Sequence, residues 1–249
     1  MRVARKSQYK TEKEKQRTNL LVGLLFLALF TGVYFVGYLY REPVGNDHYR
    51  DMKELLRKEP DTSYEFNIQK RESPVLIVTP HGGRIELFTS VIGNGLAGSN
   101  FSHFEFRGLL EKGSYEKLHV TSVNYNPPKL IPLNKESEIT LSVHGLSGSE
   151  KVTYVGGRDV AGAQMVRQAL EAEGFLVETP PSNYNGKHVK NFVNRNKRGK
   201  GIQLEIALGQ RRALFTKGNE EMPNEDYERY IGAVTKALEA LAASDVMKE

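Results

Sequence analysis

Val75-Leu-Ile-Val-Thr-Pro80-His81-Gly-Gly-Arg-Ile-Glu86 is the stretch from which the rest of the chain is read. Four apolar residues, three of them β-branched, bounded by Pro80 and two glycines, predict a buried strand. In an open α/β sheet, ligands collect at the carboxyl ends of such strands. The glycine pair lets the backbone bend sharply there and leaves space for a close approach. His81 and Glu86 can therefore reach one small volume. Both are residue types that ligate catalytic zinc.

Outward from this strand, hydrophobic periodicity lays out the other elements. A short helix is expected over Tyr49–Lys58, capped by Asn46 or Asp47, and strands over Tyr64–Ile68, Phe101–Leu110 and Leu118–Thr121. Glu86–Leu96 reads as a helix, and Asn124–Leu133, with three prolines, as a loop. Strands follow at Glu138–Val143, Val152–Val155, Phe175–Glu178 and Gly201–Ala207. Asp159–Glu173 carries a clear apolar stripe stopped by Gly174, and a last helix spans Asn224–Ala243. Strands alternating with helices predict an α/β fold with a largely parallel sheet.

The net charge of +5 suggests a nucleic-acid partner until it is divided along the chain. Of 35 Lys and Arg, seven lie in residues 1–17, with two of the 30 Asp and Glu. Residues 18–40 carry no charge, so 41–249 holds 28 of each sign. The excess sits wholly in the N-terminal tail, and no nucleic-acid partner is expected. The chain has no Cys, which excludes a disulfide framework and a thiolate metal site.

Residues 20–40 are uncharged and, as a helix, about 30 Å long, enough to cross a bilayer core. Tyr34, Tyr38 and Tyr40 gather at the far end, as interface aromatics do. The run is longer than a signal-peptide core and lacks a small-x-small cleavage site. The expected organisation is a basic cytoplasmic tail (1–19), a transmembrane signal anchor (20–40) contacting membrane lipid, a linker (41–48) and a globular domain (49–249). By the positive-inside rule that domain lies outside a single-pass cell membrane.

Two strands end alike, in His81-Gly82-Gly83 and in His144-Gly145. A third carries Glu205 between Leu204 and Ile206. On a period-2 strand Glu205 points away from both neighbours. A carboxylate in so apolar a run needs a partner or a task, because unpaired burial is costly. Arg158 or Arg195 would supply a salt bridge. His103 is expected to face outward from its strand.

Several further motifs occur in order between Tyr49 and Arg212: Pro80-His-Gly-Gly-Arg-Ile-Glu86, Thr89-Ser90, Phe104-Glu-Phe-Arg-Gly108, Leu118-His-Val-Thr-Ser122, Val143-His-Gly145, Tyr154-Val-Gly-Gly157, Gly174-Phe175, Val193-Asn-Arg195 and Gly201-Ile-Gln-Leu-Glu-Ile206. In these the chain resembles the poly-γ-glutamate hydrolases, zinc-dependent proteins of bacteria and their phages with a carboxypeptidase-like fold. The resemblance implies one Zn2+ held by His81, Glu86 and His144, and Glu205 as general base. It implies Asn194 and Arg195 as receptors for substrate carboxylate. Arg158 is counted with them as a substrate-binding residue; Arg84 is placed near the site, where it could meet substrate or pair with an acid, and His119 beside the ligands or in a structural hydrogen bond. The implied substrate is an anionic glutamate polymer or peptide. A cell-wall peptide amidase or carboxypeptidase, or a non-catalytic module binding an anionic polymer, are the other readings. The pattern departs at Leu87-Phe88, where the family leads one to expect Pro-Gly.

Overall fold

The structure is a computed structural model that describes residue 15 and residues 17–32 and 47–244. The chain divides into two units, Met1–Glu42 and Pro43–Glu249. In the first, residues 17–32 are helical and their apolar side chains are exposed. No helix among the described residues is long and apolar enough to cross a membrane. The remainder of the expected anchor, 33–40, lies outside the described residues.

The second unit is built on one seven-stranded sheet. Its strands are β1 (Tyr64–Gln69), β2 (Val75–Gly83), β3 (Ser102–Gly108), β4 (Ile139–Leu146), β5 (Val152–Gly157), β6 (Leu176–Glu178) and β7 (Ile202–Ala207). Their spatial order is β1-β3-β2-β4-β7-β5-β6. The central pairs β3–β2, β2–β4 and β4–β7 are parallel, as is β5–β6, while β1–β3 and β5–β7 are antiparallel. The sheet is therefore mixed and largely parallel, with helices on its faces.

Alternation along the strands creates two cores. Val75, Ile77, Ile139, Leu141, Val143, Ile202, Leu204 and Ile206 share one core with three helices: α2 (Thr89–Ala97), α5 (Val160–Ala172) and α7 (Glu225–Ala243). Leu76 and Val78 point the other way, into a core with Phe104, Phe106, Tyr125, Phe192 and α1 (Met52–Lys58). On β4 and β7 the second face is polar: Thr140, Ser142 and His144, then Gln203 and Glu205. The site occupies this face. The Asn224 side chain caps α7 by accepting from Tyr227 N, as its sequence predicts.

Several elements differ from expectation. The α1 cap is Asp51, which accepts from Glu54 N. Residues Leu118–Thr121 do not form a strand: α3 (Ser114–Leu118) ends there and His119 is extended. Within the expected loop, α4 (Leu130–Glu136) forms despite Pro132. A proline in the first turn costs no bond, since those N–H groups have no helical partner. The helix after Glu86 starts only at Thr89.

Candidate active-site cleft

Strict alternation would send His81 to the same face as Val75 and Ile77. The register between β2 and β3 shifts between Thr79 and Gly82, where β2 carries one residue too many. Such a bulge sends the side chains beyond it to the other face of the sheet. His81 consequently lies beside Tyr125, His119 and His144 on the opposite face. The chain then turns back at once. Gly83 has φ +63, and a Cβ there would meet the Gly108 carbonyl oxygen at 2.5 Å, so glycine is required. The Glu86 N–H donates to the His81 carbonyl at 2.9 Å and closes the loop.

Phe88 explains the departure from the family pattern. Its φ is +73, a left-handed conformation that a glycine adopts freely and an L-residue at a cost of about 1–2 kcal/mol. The strain is offset locally: Phe88 is buried and its ring stacks on Phe215 at 5.3 Å. The backbone here is a glycine-type turn that carries a phenylalanine side chain.

Within the site, hydrogen bonds settle which nitrogens carry protons. The His81 Nε2 lies 3.1 Å from the Val120 carbonyl, which only accepts, so Nε2 donates. In the neutral ring, Nδ1 then points a lone pair at Glu86 Oε1, 2.9 Å away. His119 repeats the arrangement. Its Nδ1 bonds Asp47 Oδ1 at 2.7 Å, leaving Nε2 turned toward Glu86 Oε1 at 3.9 Å. A carboxylate or carbonyl behind an imidazole is how ligating histidines are held. Asp47 is itself fixed by the Thr121 N–H at 2.7 Å. The second Glu86 oxygen accepts from Gly145 N at 2.7 Å and lies 4.0 Å from His144 Nδ1. His144 Nε2 meets Ser122 Oγ at 3.3 Å.

Two imidazole lone pairs and a carboxylate oxygen aimed at one another repel unless a cation lies among them. A proton on His81 meets that need, and so does a metal ion. His81, Glu86 and His119 each offer a donor atom, all within 4.8 Å of one another. The same tension shows in their acidities. Burial would raise the Glu86 carboxyl, but the charge and hydrogen bond of His81, with His144 and His119, hold it down at about 2. Burial opposes a proton on His81, yet the Glu86 carboxylate draws its pKa up. His144 is pushed down to about 3, mainly by burial, and stays neutral.

Glu205 stands beside His144 in register across β4 and β7. Its Oε1 accepts from Gln203 Nε2 at 2.8 Å. The salt-bridge partners expected from sequence, Arg158 and Arg195, are not used. Burial, then the Glu86 charge, pushes the Glu205 carboxyl well up, with Gln203 and Arg211 opposing. A carboxyl of raised pKa, in a cleft, is suited to accepting and returning a proton.

These groups line a cleft of about 900 Å³. His81, Glu86, His119, His144 and Glu205 all contribute to its wall. Asn194, Arg195, Arg158 and Arg84 do not. Asn194 is buried, donating to the Gly186 carbonyl at 2.7 Å and the His188 carbonyl at 3.1 Å and accepting from Gly201 N at 3.0 Å. Arg195 is exposed and donates to the Lys190 carbonyl at 2.6 Å. Arg158 and Arg84 are exposed, Arg84 reaching the Glu111 carbonyl at 3.4 Å. Sequence reasoning missed Asp47, Gln203 and Arg211, which do line the cleft. No spacing rule singles out these three, which arrive from a loop, a strand and a helix.

The cleft lies at the strand ends of a mixed α/β domain, with imidazoles and a carboxylate converging beside a buried glutamate of raised pKa. Residues 49–237 match the model of the poly-gamma-glutamate hydrolase family, and the chain belongs to that family. It is 34% identical over 236 residues to the SPbeta prophage-derived protein YoqZ of Bacillus subtilis (strain 168), covering 92% of this chain and 82% of that one. It is 34% identical over 232 residues to YmaC of the same organism, covering 90% and 98%. Among solved structures, a bacteriophage poly-gamma-glutamate hydrolase superposes with a TM-score of 0.75 at 27% identity, over 78% of this chain and 98% of that one. A zinc-free apo form of YndL superposes at 0.73 with 28% identity and the same coverage.

Proposed function

We propose that this chain is a membrane-anchored, zinc-dependent hydrolase that cuts γ-glutamyl amide bonds in poly-γ-glutamate. The observation that carries this reading is the convergence of one donor atom each from His81, Glu86 and His119 within 4.8 Å of one another, in one cleft with Glu205. The family and the zinc-free form of YndL point the same way. His81 and Glu86 would hold the ion together with His144, the ligand that the family resemblance implies, or His119, which the geometry favours. When bound, zinc supplies a Lewis acid that acidifies a water and polarises an amide carbonyl.

The protein's own residues do the rest. Val120 and Asp47 fix the tautomers of His81 and His119. Gly145 N holds Glu86 in place. Gln203 pins Glu205 through Oε1, so that Oε2 takes the proton of the attacking water and delivers it to the departing amine. Exposed Lys187 and Lys190 flank Gly186 and His188 of the cleft wall, and favour an anionic polymer. The uncharged run 20–40 would anchor the domain outside the cell membrane.

The test offers γ-linked polyglutamate, α-linked polyglutamate and cell-wall peptides to the purified protein while bound metal is measured. One zinc per chain and cleavage of the γ-linked polymer are expected. Glu205→Gln should keep the metal and lose about 10²–10⁴-fold in turnover. A protein that takes up no metal and stays inert with zinc added would sink the proposal.

A further inference from the structure

The basic residues assigned to the substrate from sequence stand outside the cleft, yet one cation stands inside it. Arg211, from α6 (Leu208–Ala213), is the only Lys or Arg among the described residues lining the cleft. It is 3% exposed. Its guanidinium lies flat over Gly145, where a Cβ would come within 2.5 Å of Cζ. Any side chain at position 145 would displace it.

Three of its N–H groups are engaged, all by carbonyls. Nε donates to Ile206 O at 3.0 Å, Nη2 to Leu146 O at 2.8 Å, and Nη1 to Leu87 O. A guanidinium has five N–H donors in one plane, so two remain. No carboxylate lies within salt-bridge distance of Arg211 among the described residues. Glu86 and Glu205 are near enough to act on it through charge, without pairing. A buried cation without an anionic partner is costly unless something supplies one. The carbonyls aim the group and cannot neutralise it.

Resting on the hydrolase reading above, we propose that Arg211 receives the free α-carboxylate of the γ-linked glutamyl unit in the cleft. A planar fork with two open donors suits a carboxylate. It shares the cleft wall with Glu205, which brings that carboxylate into the same cleft as the bond that Glu205 serves. Gly145 is glycine because the fork needs the room. The competing role is a structural clamp joining the ends of β4 and β7 to the turn at Leu87.

Paired γ-glutamyl peptides distinguish the two. One carries the free α-carboxylate and the other an α-carboxamide at the same position. Binding to the zinc-loaded and zinc-free protein is measured by calorimetry, and kcat/KM on both peptides alongside. The intact protein should prefer the carboxylate by about 10–150-fold, the range of a hydrogen bond to a charged group. Arg211→Gln should bring the ratio close to one, and Arg211→Lys should fall between. A clamp alone would weaken both peptides equally and leave the ratio unchanged in a folded variant. That result overturns the proposal. If Arg211→Gln fails to fold, Arg211→Lys and the ratio in the intact protein still decide. An intact protein indifferent to the carboxylate, or one binding neither peptide, overturns it too. Carboxylate-selective binding through Arg211 without hydrolysis would support it while sinking the hydrolase reading.

Discussion

His103 shows how far one side chain can depart from its strand pattern. Expected to face outward, it is fully buried, with Nε2 3.1 Å from Thr79 Oγ1. The helix α2 covers this face, and Gly93 of α2 leaves room for the ring. Burial, and then the charge of Arg71, lowers its pKa to about 4. The folded state therefore resists protonation that the unfolded chain accepts near 6.5. The contribution to stability is complete above about pH 6.5. It declines as pH falls toward about 4, by up to about 3 kcal/mol, and is constant below that. Denaturant midpoints at pH 7, 5.5 and 4.5 should fall more steeply for the native protein than for His103→Gln. Parallel profiles would contradict the assignment. Phe88 is the opposite case, a residue in the wrong backbone region for its type, tolerated because its ring is stacked and buried.

The long segment between β6 and β7 is where local patterning says least. From 180 to 200 it is polar, and it carries Asn194 and Arg195, which the family resemblance implies as receptors for substrate carboxylate. Its side chains act mainly on the backbone. Asn194 ties Gly186, His188 and Gly201 together. Asn191 Nδ2 donates to Gln203 Oε1 at 2.9 Å, and Gln203 in turn holds Glu205. The loop is thus the outer end of a hydrogen-bond chain that reaches the candidate base. Arg198 pairs with Asp159 at 2.9 Å and Lys197 with Glu138, so these two basic side chains have partners within the protein. Replacing Asn194 with Ala strips partners from two carbonyls and an amide. It should cost about 1–3 kcal/mol in chemical denaturation, with little change in KM beyond that of a loosened loop. A rise in KM at unchanged stability would instead return Asn194 to the substrate.

At the scale of the molecule, the core residues among those described all lie at or beyond Tyr49. Asp47, the partner of His119, is the first of the described residues to line the cleft. A protein lacking residues 1–42 should therefore unfold at the same denaturant midpoint as the full chain and keep its kcat/KM. In cell fractionation it should move from the membrane to the soluble fraction. A lower midpoint would show that the first unit supports the second. An unchanged fractionation would refute the anchor.

Periodicity was enough to read β2, β4, β7, α5 and α7, because each buries a continuous apolar face whose repeat survives in the linear chain. The His-Gly strand ends and the misplaced carboxylate of Glu205 were legible for a related reason: polar groups at apolar positions stand out. The bulge after Thr79 leaves no such mark, although it alone turns His81 into the cleft. The helix over 130–136 was hidden by a proline harmless only in a first turn. Asp47 and Arg211 acquire meaning from partners 72 and 65 residues away. Composition and spacing act along the chain, whereas a hydrogen bond from Asp47 to His119 or from Arg211 to Leu146 exists only once the sheet has brought its strand ends together.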